Sequence, residues 1–382
     1  MKKSLFAVAA VTAFAGAAQA QSSVTVYGII DAGFNGVSQR QGQVKQTTNG
    51  FNGDGAETTS RLGFKGTEDL GGGATAFFTY EVGMNPESTT LSAMNNRQAF
   101  VGLGKTGLGK ASVGTQYTVL HNAVTATDVG QSNNVIGNVI RPNGGNQSNA
   151  GQGTVARSYT VRSTNALVFN SDKFAGFGVN AMYVQNGSND TQVTTAAATT
   201  GGSNNFSGWG LAADYTWKKL YATAAYTSFK QEQTNTSAAP VATFPGTAAT
   251  NGSNTNTTDN SWYAGATYDF GILKGYLQYV NQKQSSNYNN NTYYSRTAQQ
   301  VGVRSYITPV IEGWASIGSG RINLSGNVAP TTNFNAWQLG SNYYLSKRTN
   351  LYAIYGQSIS SGTVSVSGGA GSGYALGLRH TF

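Results

Sequence analysis

The chain has 382 residues, no cysteine, 50 glycines, 6 prolines and 10% charged residues. Without cysteine it has neither a disulfide framework nor a thiolate metal site. The formal net charge of +9 does not point to nucleic acid, because its basic residues are scattered singly or in pairs such as Lys218-Lys219 and Lys347-Arg348. No cofactor is expected.

The first element is a leader. Lys2 and Lys3 precede an apolar run from Leu5 to Ala18, and Ala18-Gln19-Ala20 supplies a small-x-small end. That order describes a cleavable secretory signal over 1–20, cut between Ala20 and Gln21. Its loss leaves 21–382 as one domain with a net charge of +7, from 22 basic and 15 acidic residues. No other stretch approaches eighteen consecutive apolar residues, so no helical membrane span is expected.

From there strand patterns recur to the end. Alternation and turn signals place sixteen strands, at 24–34, 58–66, 73–82, 96–104, 109–117, 157–169, 176–185, 207–216, 219–229, 261–270, 273–283, 298–307, 310–321, 334–345, 349–358 and 372–382. The last is the clearest. Tyr374, Leu376, Leu378, His380 and Phe382 share one face, suited to lipid, and Ala375, Gly377, Arg379 and Thr381 the other.

The connections alternate in length. Gaps at 35–57, 83–95, 118–156, 186–206, 230–260, 284–297 and 359–371 are long and polar, and 322–333 is intermediate. Between them lie tight turns such as Thr67–Gly72, Lys105–Leu108 and Ser346–Arg348. A soluble sandwich has no reason to make every second connection short. The fold class is therefore all-β, a 16-stranded antiparallel up-and-down transmembrane β-barrel with short periplasmic turns and long extracellular loops.

Parity assigns the lumen. Leu62 and Phe64 suit lipid, which turns Arg61, Gly63 and Lys65 inward. Leu167 and Phe169 place Arg162 inward, Val301, Val303 and Ile307 place Arg304 inward, and Arg379 follows from the last strand. Glu81 shares a face with Thr75 and Thr79, though Phe77 interrupts that alternation. Arg97 conflicts, because it shares a face with Val101 and Leu103; a bulge reconciles it with the pore. The longest gap, 118–156, holds one acid, Asp128, and one base, Arg141, and is read as an inward-folded constriction loop. Trp209, Trp217, Tyr263, Trp314, Trp337, Tyr343, Tyr344 and Tyr352 are candidates for interfacial girdles.

Catalytic groupings are almost absent. His121 with Asp128 and Ser132 is the single conceivable one. Gly102-Leu-Gly-Lys-Thr-Gly107 has phosphate-loop spacing, but no helix follows it to bind a phosphate. No enzyme is expected.

Five segments resemble the general diffusion porins of Gram-negative outer membranes, in particular those of beta-proteobacteria. They are Ser22–Asp31, Ser60–Gly71, Asn96–Leu103, Tyr344–Tyr352 and Gly377–Phe382, in the family's order. The resemblance implies a homotrimeric barrel in the outer membrane, a third loop folded into the pore, Arg97 on the pore wall, and a terminal Phe382 read by the barrel assembly machinery. Outer-membrane lipid, lipopolysaccharide and small hydrophilic solutes and ions are the remaining expected partners. Two positions depart from the family: Thr115 where an arginine is common, and Thr381 where a basic residue often precedes the last aromatic. The function read from the chain is a water-filled channel for passive diffusion with mild anion selectivity. A substrate-selective porin is the alternative, and a surface β-rich adhesin a more distant one.

Overall fold

The structure is a computed structural model that describes residues 23–41, 43–52, 55–89, 95–141, 159–195, 199–234, 255–288, 291–325, 331–361 and 369–382. The leader 1–20, its cleavage pair Ala20 and Gln21, and residues 142–156 of the long gap lie outside the described residues.

Seventeen strand segments, β1 to β17, form one antiparallel sheet closed by pairing of β1 with β17. They are β1 (Ser23–Gln41), β2 (Val44–Asn52), β3 (Arg61–Gly71), β4 (Ala74–Gly83), β5 (Asn95–Lys105), β6 (Gly109–Tyr117), β7 (Arg162–Ser171), β8 (Phe177–Thr194) and β9 (Thr199–Trp217). The rest are β10 (Leu220–Thr234), β11 (Thr255–Asp269), β12 (Lys274–Ser286), β13 (Tyr293–Thr308), β14 (Ile311–Ser325), β15 (Thr332–Tyr344), β16 (Thr349–Ser360) and β17 (Gly369–Thr381). Among the described residues between β6 and β7 is a helix, α1 (Val119–Thr127).

Seventeen segments make sixteen staves, because β2 and β3 share one position. Residues 33–41 of β1 pair with β2 and residues 23–29 with β3, along the same edge. The chain between them leaves the wall, and residues 55–60 turn into the lumen. A barrel of sixteen staves is wide enough for a polar, water-filled interior.

Each of the sixteen expected strands overlaps one stave, and β2 is the segment that alternation missed. The ladders also run further than expected at the long-loop end. Gaps 35–57 and 186–206 are largely paired, through Arg40↔Lys45 and Asp190↔Gly202. Hydrophobic alternation marks only the part of a strand that meets lipid. Beyond it Asn, Thr, Ser and Gly still satisfy the ladder, with no apolar face to reveal it.

Alternation survives in the burial. In β16 every second residue from Asn350 to Ser360 is buried, and the intervening Leu351, Tyr355 and Ile359 are exposed. Closure is finished by the terminal residue. Gly28 and Phe382 exchange two backbone hydrogen bonds of 3.1 Å. The Phe382 ring occupies the space a Cβ on Gly28 would need, so that glycine is a notch for it.

The expected girdle divides in two. Trp209, Trp217 and Tyr343 are exposed outside the barrel, and Trp337 packs near Tyr355 on the same face. Tyr263, Trp314 and Tyr352 are instead buried inside, and the Tyr344 hydroxyl donates to the buried Glu312. Aromatic identity alone does not choose a face, because rings also fill the lumen where glycines oppose them. Gly340 beside Trp314 and Gly377 beside Tyr352 are two such positions.

Candidate functional site

After β6 the chain turns inward. Thr118 caps α1 by accepting from the His121 backbone N–H at 3.1 Å, and its hydroxyl donates to the Thr160 carbonyl. Val119, Leu120, Ala123 and Val124 are buried by the inner wall, in one apolar cluster with Met182, Ala212 and Val280. Residues 128–141 then follow the inside of β13 to β16.

Small residues open the track for this path. A Cβ on Gly210, Gly265, Gly302, Gly318 or Gly356 would overlap Val119, Thr127, Val129, Val139 or the Ile136 carbonyl respectively. Between the glycines, long polar side chains hold the loop backbone. Gln338 donates to the Val135 and Ile136 carbonyls at 2.6 and 2.9 Å, and Gln300 accepts from Val139 N–H at 3.1 Å. Arg296, fully buried, donates to the Val139 carbonyl and lies over the Phe334 ring. Thr127 and Tyr263 hydroxyls are also bonded.

The segment 55–60 meets this loop from the other side. Asn134 donates its backbone N–H to the Ala56 carbonyl at 2.8 Å and its side-chain amide to the Gly55 carbonyl at 2.7 Å. Asp31 holds the same segment, accepting from Thr58 N–H at 2.7 Å and from the Tyr352 hydroxyl at 2.6 Å.

Between the loop and the wall of β3 to β7 remains an open cleft of about 590 Å³. Four guanidinium groups line it: Arg61 (β3), Arg97 (β5), Arg162 (β7) and Arg141, which the loop supplies. No carboxylate among the described residues lines it directly. Glu81 stands buried behind, 2.7 Å from Arg97 and 3.9 Å from Arg61, and accepts from the Tyr27 hydroxyl. Arg97 also donates to the Tyr117 hydroxyl at 2.6 Å, and Arg162 lies over the Tyr117 ring. Apart from Arg141, the loop side presents neutral groups, among them His121, Asn122, Thr125 and Ser132.

Arg97 reaches the lumen through a bulge. Glu81 pairs with Gln98 and Val82 with Asn96, which leaves Arg97 as the extra residue of β5. Its side chain therefore escapes the parity that would have aimed it at lipid.

Other expected positions lie elsewhere. Asp128 is a correction: it is buried beneath the loop, not in the cleft. Its carboxylate accepts from Ser132 N–H at 2.6 Å and from Asn138 at 3.1 Å, and burial pushes its pKa up. Arg304 is also buried there, paired with Glu312 at 3.1 Å and donating to the Val129 carbonyl. Arg379 faces inward but is paired with Glu57 of the inward segment at 3.4 Å. Lys65, beside the Tyr27 ring, is exposed near the short-turn end and does not line the cleft. An isolated acid or base in a polar loop gives no sign of whether its own loop will fold over it.

The residues that sequence reasoning missed are Arg141 as a cleft base, Tyr117, and the whole inward segment 55–60. Arg141 left one signal, as the single base in the long gap. His121, Asp128 and Ser132 form no catalytic unit. His121 bonds Tyr159 and Thr125, and it is held neutral by burial and by Arg141, Arg162 and Arg97, with its pKa lowered to about 3. Among the described residues no cluster of His, Asp and Glu suited to a metal is found.

Comparison with known proteins gives a consistent picture. The family model described as Gram-negative porin matches residues 7–363. An outer membrane porin protein of Bordetella pertussis is 27% identical over 426 aligned positions, covering 100% of both chains. Among solved structures, an anion-selective porin from Comamonas acidovorans superposes with a TM-score of 0.69 at 22% identity, covering 95% of this chain and 100% of its own. The trimer form of OmpT from Vibrio cholerae gives a TM-score of 0.61 at 15% identity, covering 94% and 99%.

Proposed function

Because the chain belongs to the Gram-negative porin family, whose members are outer-membrane channels and not enzymes, we propose that the basic cleft is the constriction of its water-filled pore. Small hydrophilic solutes and ions diffuse passively through it, and anions pass more readily than cations. One observation carries the selectivity: four guanidinium groups line the cleft, and no carboxylate among the described residues does, Glu81 standing buried behind Arg97 and Asp128 buried near Arg141. A ring of one sign at a narrow point sorts ions by charge. Reversal potentials across a planar bilayer in a KCl gradient test this, and anion preference at neutral pH is expected. A cation preference would overturn the assignment.

The assembly is a homotrimer in this reading, in keeping with the trimer form of a porin of the same fold. Lipid and lipopolysaccharide surround it. Residues 1–20 are removed before Gln21, which N-terminal sequencing of the outer-membrane protein checks. Phe382 serves as the signal for the barrel assembly machinery. Its ring is exposed outside the barrel and its backbone closes the sheet on Gly28. Deleting it forfeits apolar burial worth on the order of 2 kcal/mol, a modest loss for the barrel. The deletion therefore lowers outer-membrane levels in cells, while purified chains still refold in detergent. Normal cellular levels would refute the signal role.

A further inference from the structure

Below the arginine cleft the open wall carries an apolar spot. Phe77 (β4) and Phe100 (β5) sit half-buried on the inner face, while their neighbours Phe78, Tyr80, Val101 and Leu103 are exposed on the outer one. The two inner rings meet edge to face at 6.3 Å. Phe77 leans over Gly102, where a Cβ would overlap its ring. α1 packs on β8 to β12 and residues 128–141 run along β13 to β16, so neither of these covers the rings. Apolar area left in water is unfavourable, and a solute that shares the surface relieves the cost.

Two ammonium groups bracket the rings. Lys65 (β3), Thr79 and Phe100 stand in one row across three neighbouring strands. Two strand spacings, roughly 10 Å, separate the Lys65 and Phe100 backbones. On the other flank Lys110 (β6) holds its Nζ 5.6 Å from the centre of the Phe77 ring. Lys110 pairs with Gly104, where a Cβ would come within 3.2 Å of the lysine Cγ, so the glycine leaves it room. Among the described residues no carboxylate is in ion-pair contact with either lysine. Asp69 shares the row of Gly104 and Lys110 three strands away, and its carboxylate accepts from the Gly71 N–H at 2.8 Å.

We propose that this strip of inner wall is a transit site for aromatic carboxylates. The solute's ring lies against Phe77 and Phe100, and its carboxylate pairs with Lys110 or Lys65. The inference rests on the channel reading above and names a solute class for it. A small inorganic anion finds ammonium groups here but covers neither ring. A neutral aromatic solute finds the rings but leaves both charges unanswered, and an aromatic acid satisfies both. Arg61 is four residues from Lys65 on the same face of β3, so an anion released by the cleft meets Lys65 next.

The test adds benzoate, cyclohexanecarboxylate or benzyl alcohol to single channels of the purified protein in KCl at neutral pH. The first two are anions of similar size, and the third has the ring without the charge. Benzoate should lower the KCl conductance saturably, cyclohexanecarboxylate should need a higher concentration, and benzyl alcohol should have no effect. The variant K65Q/K110Q should raise the half-saturating benzoate concentration roughly fivefold, the upper end for an exposed charge pair. F77L/F100L keeps an apolar surface but removes the aromatic faces. It should raise that concentration roughly threefold and erase the difference between the two acids. Equal effects of the two acids on the wild type overturn the site, and so does an unchanged half-saturating concentration in either variant. Channel steps in KCl alone show that a variant is assembled; where a double variant gives none, K110Q and F77L are read by the same criteria. Wild-type channels without a saturable benzoate effect sink only this site, and absent channels sink the porin reading.

Discussion

From β3 to β7 the inner wall carries Arg61, Glu81, Arg97 and Arg162 and faces open cleft, whereas from β9 to β16 it carries Gly210, Gly265, Gly302, Gly318 and Gly356 beneath α1 and the loop. The two walls solve opposite problems. On the open wall Arg61 and Arg162 reach the cleft and the buried Arg97 is paired with Glu81, so that wall can be basic. A wall covered by polypeptide must meet backbone carbonyls and N–H groups without stranding charge, because a buried ion needs a close partner. It does so with amides, Gln278, Gln300 and Gln338, and with space where glycine removes the side chain. Its exceptions are Arg304, paired with Glu312, and Arg296, set against a carbonyl and a ring.

If that division is right, the covered wall is the more fragile. Arg304→Ala leaves Glu312 buried with only Asn342 and Tyr344 as side-chain partners, and frees the Val129 carbonyl. Breaking one side of a buried pair typically costs about 3–5 kcal/mol, so the variant should unfold at clearly lower denaturant concentration than wild type. An unchanged midpoint would show that water reaches Glu312.

Gly356→Leu should act next most strongly, by driving a side chain into the Ile136 carbonyl. Unseating the loop strands amides such as Gln338, at about 1–3 kcal/mol for each unsatisfied group. Single-channel conductance should rise while the barrel still assembles. Unchanged conductance in an assembled variant would mean that the loop does not narrow the pore.

On the open wall the same kind of change alters permeation and leaves stability almost untouched. Arg141→Glu with Arg162→Glu shifts the charge of the cleft lining by four units towards negative, since each reversal removes two. At partly solvated separations near 8 Å each charge acts on a passing ion by roughly 2 kcal/mol. The KCl reversal potential should therefore change sign, with little change in the unfolding midpoint.

A pH-dependent effect sits on the seam between the walls. His121 has its pKa lowered from 6.5 to about 3, so the seated loop holds it neutral. Between those values the released loop binds more protons, and seating weakens as pH falls, by at most about 1.4 kcal/mol per pH unit. Asp128, shifted upward by burial, works in the opposite sense: acidification eases the cost of keeping it enclosed. His121→Gln removes the first slope alone. Its conductance should vary less between pH 7 and pH 4 than that of wild type, and equal variation would assign the response to another group.

Much of this was legible in the residues. The face of Arg61 followed from Leu62 beside it, because lipid admits only one side of a strand, whereas Arg162 reaches the cleft across a break in register between Ala166 and Ser163 that alternation did not show. Arg97 was legible as a conflict, and the bulge at Glu81 resolved it. Asp128 and Arg304 were misplaced for one reason. Inward parity says that a side chain enters the lumen, and it is silent on whether a loop then covers it. Tyr263, Trp314 and Tyr352 failed as girdle residues in the same way, since an aromatic ring suits a packed lumen as well as a membrane interface.

The sequence by itself determined the number and order of the staves, the short and long ends and the lipid face. These follow from local rules: period-two alternation in a strand and the placing of turn residues. Only the tertiary structure decided which arginines stay in water and which are neutralised. It also decided where residues 128–141 lie and that 55–60 folds inward to meet them. Those outcomes depend on contacts between residues as distant as Asn134 and Gly55, or Ile136 and Gly356, which no local period records. Glycine in particular leaves no side chain whose pattern could reveal what will occupy its space.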